Sequence, residues 1–268
     1  MIVFMDDEIA RRKKNKFFAL KQILNEISPD LTIVHYCSYV NFHSLIFSNV
    51  KPVVGVVMGA DLDMENSKVP LHVKFEHIFT KTFLPHFELL VTKTKRLKNM
   101  CREIDHQGKS IRIPWGINLT EYKNENHNID YKEARRMLGL PIHGSIILSC
   151  RAIVRESKII DIIKGFDIFF VNNPNSYLVI VEYYVLDEYL VDIKKFVKNI
   201  FSKKNIIFIK SLVPEELKKM YIACDILISN RIIDGFPQTF FEASKFGIPI
   251  LSSKLEPYDE IMKDGELY

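Results

Sequence analysis

The sequence predicts an α/β protein with doubly wound parallel sheets, in two domains. Three features carry that expectation. Short apolar runs alternate with longer stretches of helical spacing, the pattern of a parallel sheet covered on both faces. The alternation breaks over 118–132, where Asn, Glu, Lys and His displace apolar residues, and then restarts, which places a linker there and divides the chain into domains 1–122 and 123–268. With 268 residues and 47% hydrophobic content, the chain can bury a core of that size.

The elements follow in order. Over 8–27, Ile9, Phe17, Leu20, Ile23, Leu24 and Ile27 fall mostly three to four apart, predicting a helix that Ser28-Pro29-Asp30 ends. Strands follow over 31–36 and 53–58, and a third over 87–91 leads into a helix over 96–104. A fourth strand covers 110–114. Past the linker, strands are expected over 145–150, 177–181, 205–210, 226–229 and 248–252. Helices are expected over 158–171, 185–201 and 214–223, with a last one carrying Glu242 between the final two strands. The second half reads as a complete doubly wound unit.

Composition narrows the class. No stretch of about 18 apolar residues occurs, so no membrane span is expected. The first residues, Met1-Ile2-Val3-Phe4-Met5-Asp6-Asp7-Glu8, lack the basic-then-apolar order of a secretory signal. Cys37, Cys101, Cys150 and Cys224 are far apart and form no CxxC pair, so neither a metal site nor a disulfide framework is expected, and a reduced, cytoplasmic setting follows. The formal charge of +4 is mild. It concentrates at Arg11-Arg12-Lys13-Lys14 and Lys16, which read either as a solvated helix face or as a stripe beside Phe17, Phe18 and Leu20 that rests on anionic lipid headgroups. No basic face beyond it and no aromatic platform argue for nucleic acid. No HExxH, GxSxG or Walker loop is present.

The richest stretch is Asp234-Gly235-Phe236-Pro237-Gln238-Thr239-Phe240-Phe241-Glu242-Ala243. A strand, a turn with unpaired amides and a helix N-terminus make a ready anion site. An acid at each end can hold hydroxyls of whatever carries the anion, as a sugar nucleotide does. Together with 225–229 before it and Gly247-Ile248-Pro249-Ile250 after it, this segment resembles the donor site of GT-B glycosyltransferases of family 4, also described as glycosyl transferases group 1.

The resemblance implies two Rossmann-like domains and retaining transfer of a sugar. At the first acidic position the family usually has Glu where this chain has Asp234, an arm shorter by one methylene. By resemblance, Asp234 is the catalytic acid near the donor sugar and Glu242 accepts bonds from the nucleotide ribose. Gly235, Phe236, Pro237, Gln238 and Thr239 form the diphosphate-facing turn, with the amides of Phe236, Gln238 and Thr239 stabilising the leaving group and Pro237 suited to the first helical turn. Arg151, after the strand over 145–150, and Lys158 resemble the family's diphosphate-clamping Arg and Lys, with Ser157 or Arg155 as alternatives for the second position. The expected donor is a UDP- or GDP-sugar, with no cofactor and no metal. Residues with other readings are Glu242 as a solvent-facing cap of its own helix and Asp234 as a turn residue holding Gly235.

The first half matches less fully. Ile113-Pro114-Trp115-Gly116-Ile117-Asn118 is similar to the family's hinge segment, and Gly59-Ala60-Asp61 resembles its Gly-x-Asp, with Met58 where a His commonly precedes. His35 follows Pro29-Asp30 as a family His does. Gly59, Asp61 and His35 are therefore the acceptor-side candidates. The opening strand and Gly-rich loop of the family, and its closing helices, have no counterpart, so the resemblance implies a member shortened at both ends, with an incomplete N-terminal domain. The expected function is transfer of a hexose from a nucleoside diphosphate sugar to a glycan or lipid-linked acceptor, by a cytoplasmic or membrane-peripheral enzyme of polysaccharide biosynthesis. The alternative is a degenerate, inactive fold that binds nucleotide or glycan.

Overall fold

The computed structural model describes residues 16–37, 45, 50–59, 61–62, 71–104, 109–120, 129–263 and 265. The chain divides into two compact units, Met1–Trp115 and Gly116–Tyr268.

In the first unit α1 (Lys16–Ile27) leads to β1 (Thr32–His35) and β2 (Val53–Val57), then α2 (Leu71–Phe83), β3 (Leu89–Thr92), α3 (Lys95–Ile104) and β4 (Ser110–Arg112). The strands pair in parallel in the order β1-β2-β3-β4. Val34, Val53, Val57, Leu84, Phe87, Leu90 and Leu97 form the core. At Gly55 in β2 a Cβ would lie 2.9 Å from the Phe87 ring and 3.0 Å from Cys37 Sγ, so the close packing of this strand requires a glycine. The four expected strands are present. The run Arg11-Arg12-Lys13-Lys14 and the side chains of Lys16 and Phe17 lie outside the described residues, as do Ala60 and most of the expected linker; Phe18 is exposed.

Helix α2 was not expected from the sequence. Its apolar residues Leu71, Phe75, Ile78, Phe79 and Phe83 recur at helical spacing along one face of the segment, although Phe75, Ile78 and Phe79 are exposed. The period that marks a helix is therefore present in this segment.

The second unit contains α4 (Tyr131–Met137), β5 (Ser145–Ser149), α5 (Ile159–Asn172), β6 (Ser176–Glu182) and α6 (Asp187–Val197). It continues with β7 (Ile206–Lys210), α7 (Pro214–Ala223), β8 (Ile226–Ser229), α8 (Gln238–Lys245) and β9 (Ile250–Ser252). The parallel strand order is β7-β6-β5-β8-β9. The chain winds outward from β5 to β7, then returns to the other side of β5 for β8 and β9. That reversal parts the connections leaving β5 and β8 and opens a crevice at their carboxyl ends. On one sheet face Ile146, Leu148, Val179, Val181 and Leu227 pack with residues of α4, α7 and α8. On the other, Leu178, Ile180 and Ile206 pack with residues of α5 and α6.

Helix α4 was also unexpected, since YKEARRM has little apolar patterning. Asp130 caps it through the Glu133 amide at 2.8 Å. Buried Arg135 then anchors it, donating to the carbonyls of Ala223, Ile142 and Gly144 and to Asp225 Oδ2 at 2.9 Å. Gly144 makes this corner possible: its φ is +94°, and a Cβ would lie 2.1 Å from the Asn175 carbonyl oxygen.

Candidate active site

The crevice between the ends of β5 and β8 gathers charged residues from distant parts of the chain. Arg151, two residues past β5, donates from Nη2 to Asp234 Oδ2 at 2.5 Å and from Nη1 to Thr239 Oγ1 at 3.1 Å. The two charged side chains are 15% and 11% exposed, so water screens the pair little. Asp234 Oδ1 accepts the Gly235 amide at 2.9 Å, and Oδ2 also accepts the Tyr258 hydroxyl at 2.9 Å. Burial, and next the Asp234 charge, push the Tyr258 pKa above its ordinary value, so the phenol remains a donor at neutral pH.

A second guanidinium stands beside the first. Arg231 Nε lies 3.8 Å from Asp234 Oδ2 and donates to the Ile233 carbonyl at 2.9 Å. Its Nη1 donates to Ser157 Oγ at 2.9 Å. Burial lowers the Arg231 pKa, with Asp234 opposing that shift. The Ile232 amide donates to the Glu156 carbonyl at 3.0 Å, which fastens the loop after β8 to the turn before α5.

Sequence reasoning did not name Arg231 or Tyr258. For Arg231 a signal existed, because it lies just past a strand at the sheet reversal. Among the candidates for a second cation, Ser157 is buried within this network. Arg155 is exposed and pairs with Asp192 at 3.3 Å. Lys158 is half-buried and precedes α5 in a left-handed conformation, φ +47°, without bonding the Asp234 carboxylate among the described residues.

The turn into α8 supplies donors. Pro237 sits one position earlier than expected: it is the N-cap, with φ −75° and ψ 109°, and Gln238 and Thr239 open the helix. No side chain caps this end. Its first amides therefore remain available to an anion. Phe236 is buried and stacks on Phe241 with centroids 5.1 Å apart, so its ring anchors the turn. Glu242, half-buried in α8, does not cap its own helix. Its Oε2 accepts the hydroxyl of wholly buried Tyr221 at 2.7 Å. Cys150 Sγ lies 3.8 Å from the same hydroxyl, and burial pushes its thiol up to about 11.

A cleft of about 480 Å³ beside this site is lined by Phe240, Phe241, Leu251, Tyr258 and Met262 among others. It shares Tyr258 with the site, but neither arginine nor either acid lines it. Among the described residues no group of His, Cys, Asp and Glu side chains is arranged to hold a metal ion. The positive groups gathered here are Arg151, Arg231 and the uncapped end of α8.

In the first unit the acceptor-side candidates Gly59, Asp61 and His35 lie at the ends of β1 and β2. Asp61 is buried and accepts the amides of Cys37 at 2.8 Å, Gly59 at 2.7 Å and Met58 at 3.0 Å. Those bonds occupy both oxygens, so Asp61 braces the ends of β1 and β2, with Gly59 at φ +125° making the turn. His35 is exposed and meets the Trp115 ring edge-on at 6.1 Å, while the Lys93 ammonium lies 3.7 Å over that ring.

Comparison with known proteins identifies the family and the fold. The family model of glycosyl transferases group 1 matches residues 130–267, more than half of the chain. Alpha-monoglucosyldiacylglycerol synthase of Acholeplasma laidlawii is 24% identical over 206 residues, which cover 75% of this chain and 49% of that protein. The chain thus spans about half the length of this curated relative. Among solved structures, Anabaena HepE in complex with UDP and glucose has a TM-score of 0.77 at 13% identity, covering 95% of this chain and 66% of that one. TarM of S. aureus, in complex with fondaparinux, alpha-GlcNAc-glycerol and UDP, has a TM-score of 0.71 at 12% identity, covering 94% and 48%. These likenesses show the fold, an α/β fold of GT-B type with parallel sheets. No helix among the described residues is long and apolar enough to cross a membrane.

Proposed function

The chain belongs to the family of glycosyl transferases group 1, and from that membership we propose that it is a retaining hexosyltransferase of glycosyltransferase family 4. The observation that carries this reading is the convergence of Arg151, Asp234 and Thr239 at the sheet reversal, beneath the uncapped end of the helix that bears Glu242. A nucleoside diphosphate sugar fits such a site: Glu242 takes the ribose diol, and Arg151, Lys158 and the turn of Gly235, Phe236, Pro237, Gln238 and Thr239 take the diphosphate. Arg231 adds a second, half-buried positive charge.

As the bond between sugar and diphosphate breaks, negative charge grows on the leaving group. Fixed guanidinium and amide donors stabilise it without reorganising, which is the reason to propose that no metal is required. By the family resemblance Asp234 is the acid assigned to the donor sugar, where its charge would offset positive charge at the reacting carbon. UDP-glucose is the first donor to try, given the ligands of Anabaena HepE.

The acceptor is proposed to be lipid-linked, with a glycan of a growing polysaccharide as the other class. Exposed Phe75, Ile78 and Phe79, with exposed Lys81, give α2 an apolar face with a basic flank, which suits the surface of an anionic membrane. The run from Arg11 to Lys16 would add to that contact on the cytoplasmic leaflet. The name of the Acholeplasma relative points the same way. One observation favours a second reading, binding without turnover: Asp234 already spends Oδ2 on Arg151 and Tyr258.

Thermal unfolding with UDP, GDP and their glucose conjugates, beside Glu242→Ala, tests the donor site. A midpoint that rises with one nucleotide and not in the variant supports it. No rise with any of them overturns it. Transfer of glucose to diacylglycerol vesicles, insensitive to EDTA and abolished by Asp234→Ala, then separates turnover from binding alone.

A further inference from the structure

We infer that Tyr221 is the positioning residue for Glu242, fixing one carboxylate oxygen so that the other is left to receive the donor's ribose hydroxyls. The inference rests on the donor-site reading above and adds to it a residue from α7.

Among the described residues Tyr221 is the bulkiest of the wholly buried side chains, set in an apolar core with Leu148, Met220 and Leu227, and its ring stacks on Phe246 at 5.8 Å. A phenylalanine would fill that space as well. The hydroxyl is therefore the feature to explain, because a phenol buried in such surroundings must find an acceptor. Its acceptor is Glu242 Oε2 at 2.7 Å, with Cys150 Sγ at 3.8 Å. Burial raises the phenol pKa far above the ordinary tyrosine range, and the charges of Cys150 and Glu242 act in the same direction. The group thus stays protonated and can only donate to the acid.

A glutamate on a helix surface samples several rotamers, and a short charge-assisted bond from a ring with two torsions, itself packed on both sides, selects one. A carboxylate that is to meet a vicinal diol gains from having its orientation set before the ligand arrives. Tyr221 would then act on nucleotide affinity without touching the nucleotide.

The test uses the full chain and measures dissociation constants for UDP and GDP beside their 2′-deoxy counterparts. The wild type is expected to prefer the ribonucleotide by about tenfold, the worth of a hydrogen bond to a charged group. Tyr221→Phe should bring that preference close to unity. Phe246→Leu, which loosens the same stack but leaves the hydroxyl, should keep it. A full ribose preference in Tyr221→Phe overturns the inference, and so does an equal loss in Phe246→Leu. Absence of any ribose preference in the wild type removes the donor-site reading itself. If Tyr221→Phe does not fold, Glu242→Gln examines the contact from the other side. Its amide oxygen can accept the phenol while NH₂ replaces the free oxygen, so ribose preference is expected to vanish. A Glu242→Gln chain that keeps it overturns the inference.

Discussion

Both oxygens of Asp234 are committed, Oδ1 to the Gly235 amide and Oδ2 to Arg151 and Tyr258, with Arg231 close behind. The carboxylate therefore separates two guanidiniums that would otherwise repel each other in a poorly hydrated crevice. Asp234→Ala is expected to lower stability by about 3–5 kcal/mol, the usual cost of stranding one partner of a buried pair, read from a urea titration. Loss of less than about 1 kcal/mol would show that the pair is hydrated and weak. Tyr258→Phe removes a donor and no charge, so a smaller loss of about 1–2 kcal/mol is expected on the same measurement. Transfer activity should separate these variants further: Asp234→Ala removes the acid proposed for the reacting centre, and Tyr258→Phe only loosens its seat.

At the level of elements, legibility depended on whether a segment carries its own pattern. Helix α7 and strand β8 were expected with their observed bounds, because each is a periodic or apolar run closed by a turn. Asp234, Thr239 and Glu242 were singled out because an acid-Gly-Phe-Pro turn before a helix resembles a donor segment, and Arg151 because it follows a strand as the resemblance implies. The structure brings Arg151, Asp234 and Thr239 together. Helix α4 was not legible, since Arg135 holds it through partners at Ala223 and Asp225, and contacts so distant in sequence leave no local period. Tyr221 and Tyr258 escaped notice likewise, each being an aromatic in a core-like run whose hydroxyl alone matters. Asp61 resembled a ligand-facing motif and proved to brace backbone amides. The anchoring role of Arg135 predicts that Arg135→Met strips three carbonyls of their donor, leaves Asp225 Oδ2 with the Ile146 amide alone, and lowers stability by about 2–4 kcal/mol in urea. An unchanged midpoint would mean that α4 contributes nothing to the second unit.

At the scale of the molecule, the four cysteines are buried and free, Cys37 and Cys101 in the first unit and Cys150 and Cys224 in the second. Cys150 titrates near 11 when folded against 9.0 ordinarily, and burial raises Cys37 and Cys224 in the same direction. Between pH 9 and 11 the folded chain keeps a proton at Cys150 that the unfolded chain has released. Stability present below pH 9 is therefore lost as pH rises through that window, and urea midpoints should fall from pH 8 to pH 10.5, less steeply in Cys150→Ala. The same burial makes each thiol a reporter of local opening, because only the exposed thiolate reacts. A nucleotide bound as proposed at Arg151, Thr239 and Glu242 would stabilise the unit holding Cys150 and Cys224. Mass-resolved alkylation should then slow at those two cysteines when UDP is added, while Cys37 and Cys101 keep their rates. Equal slowing at all four would show that the nucleotide's stabilisation is not confined to the second unit. Unchanged rates at Cys150 and Cys224 would place the nucleotide away from the crevice between β5 and β8.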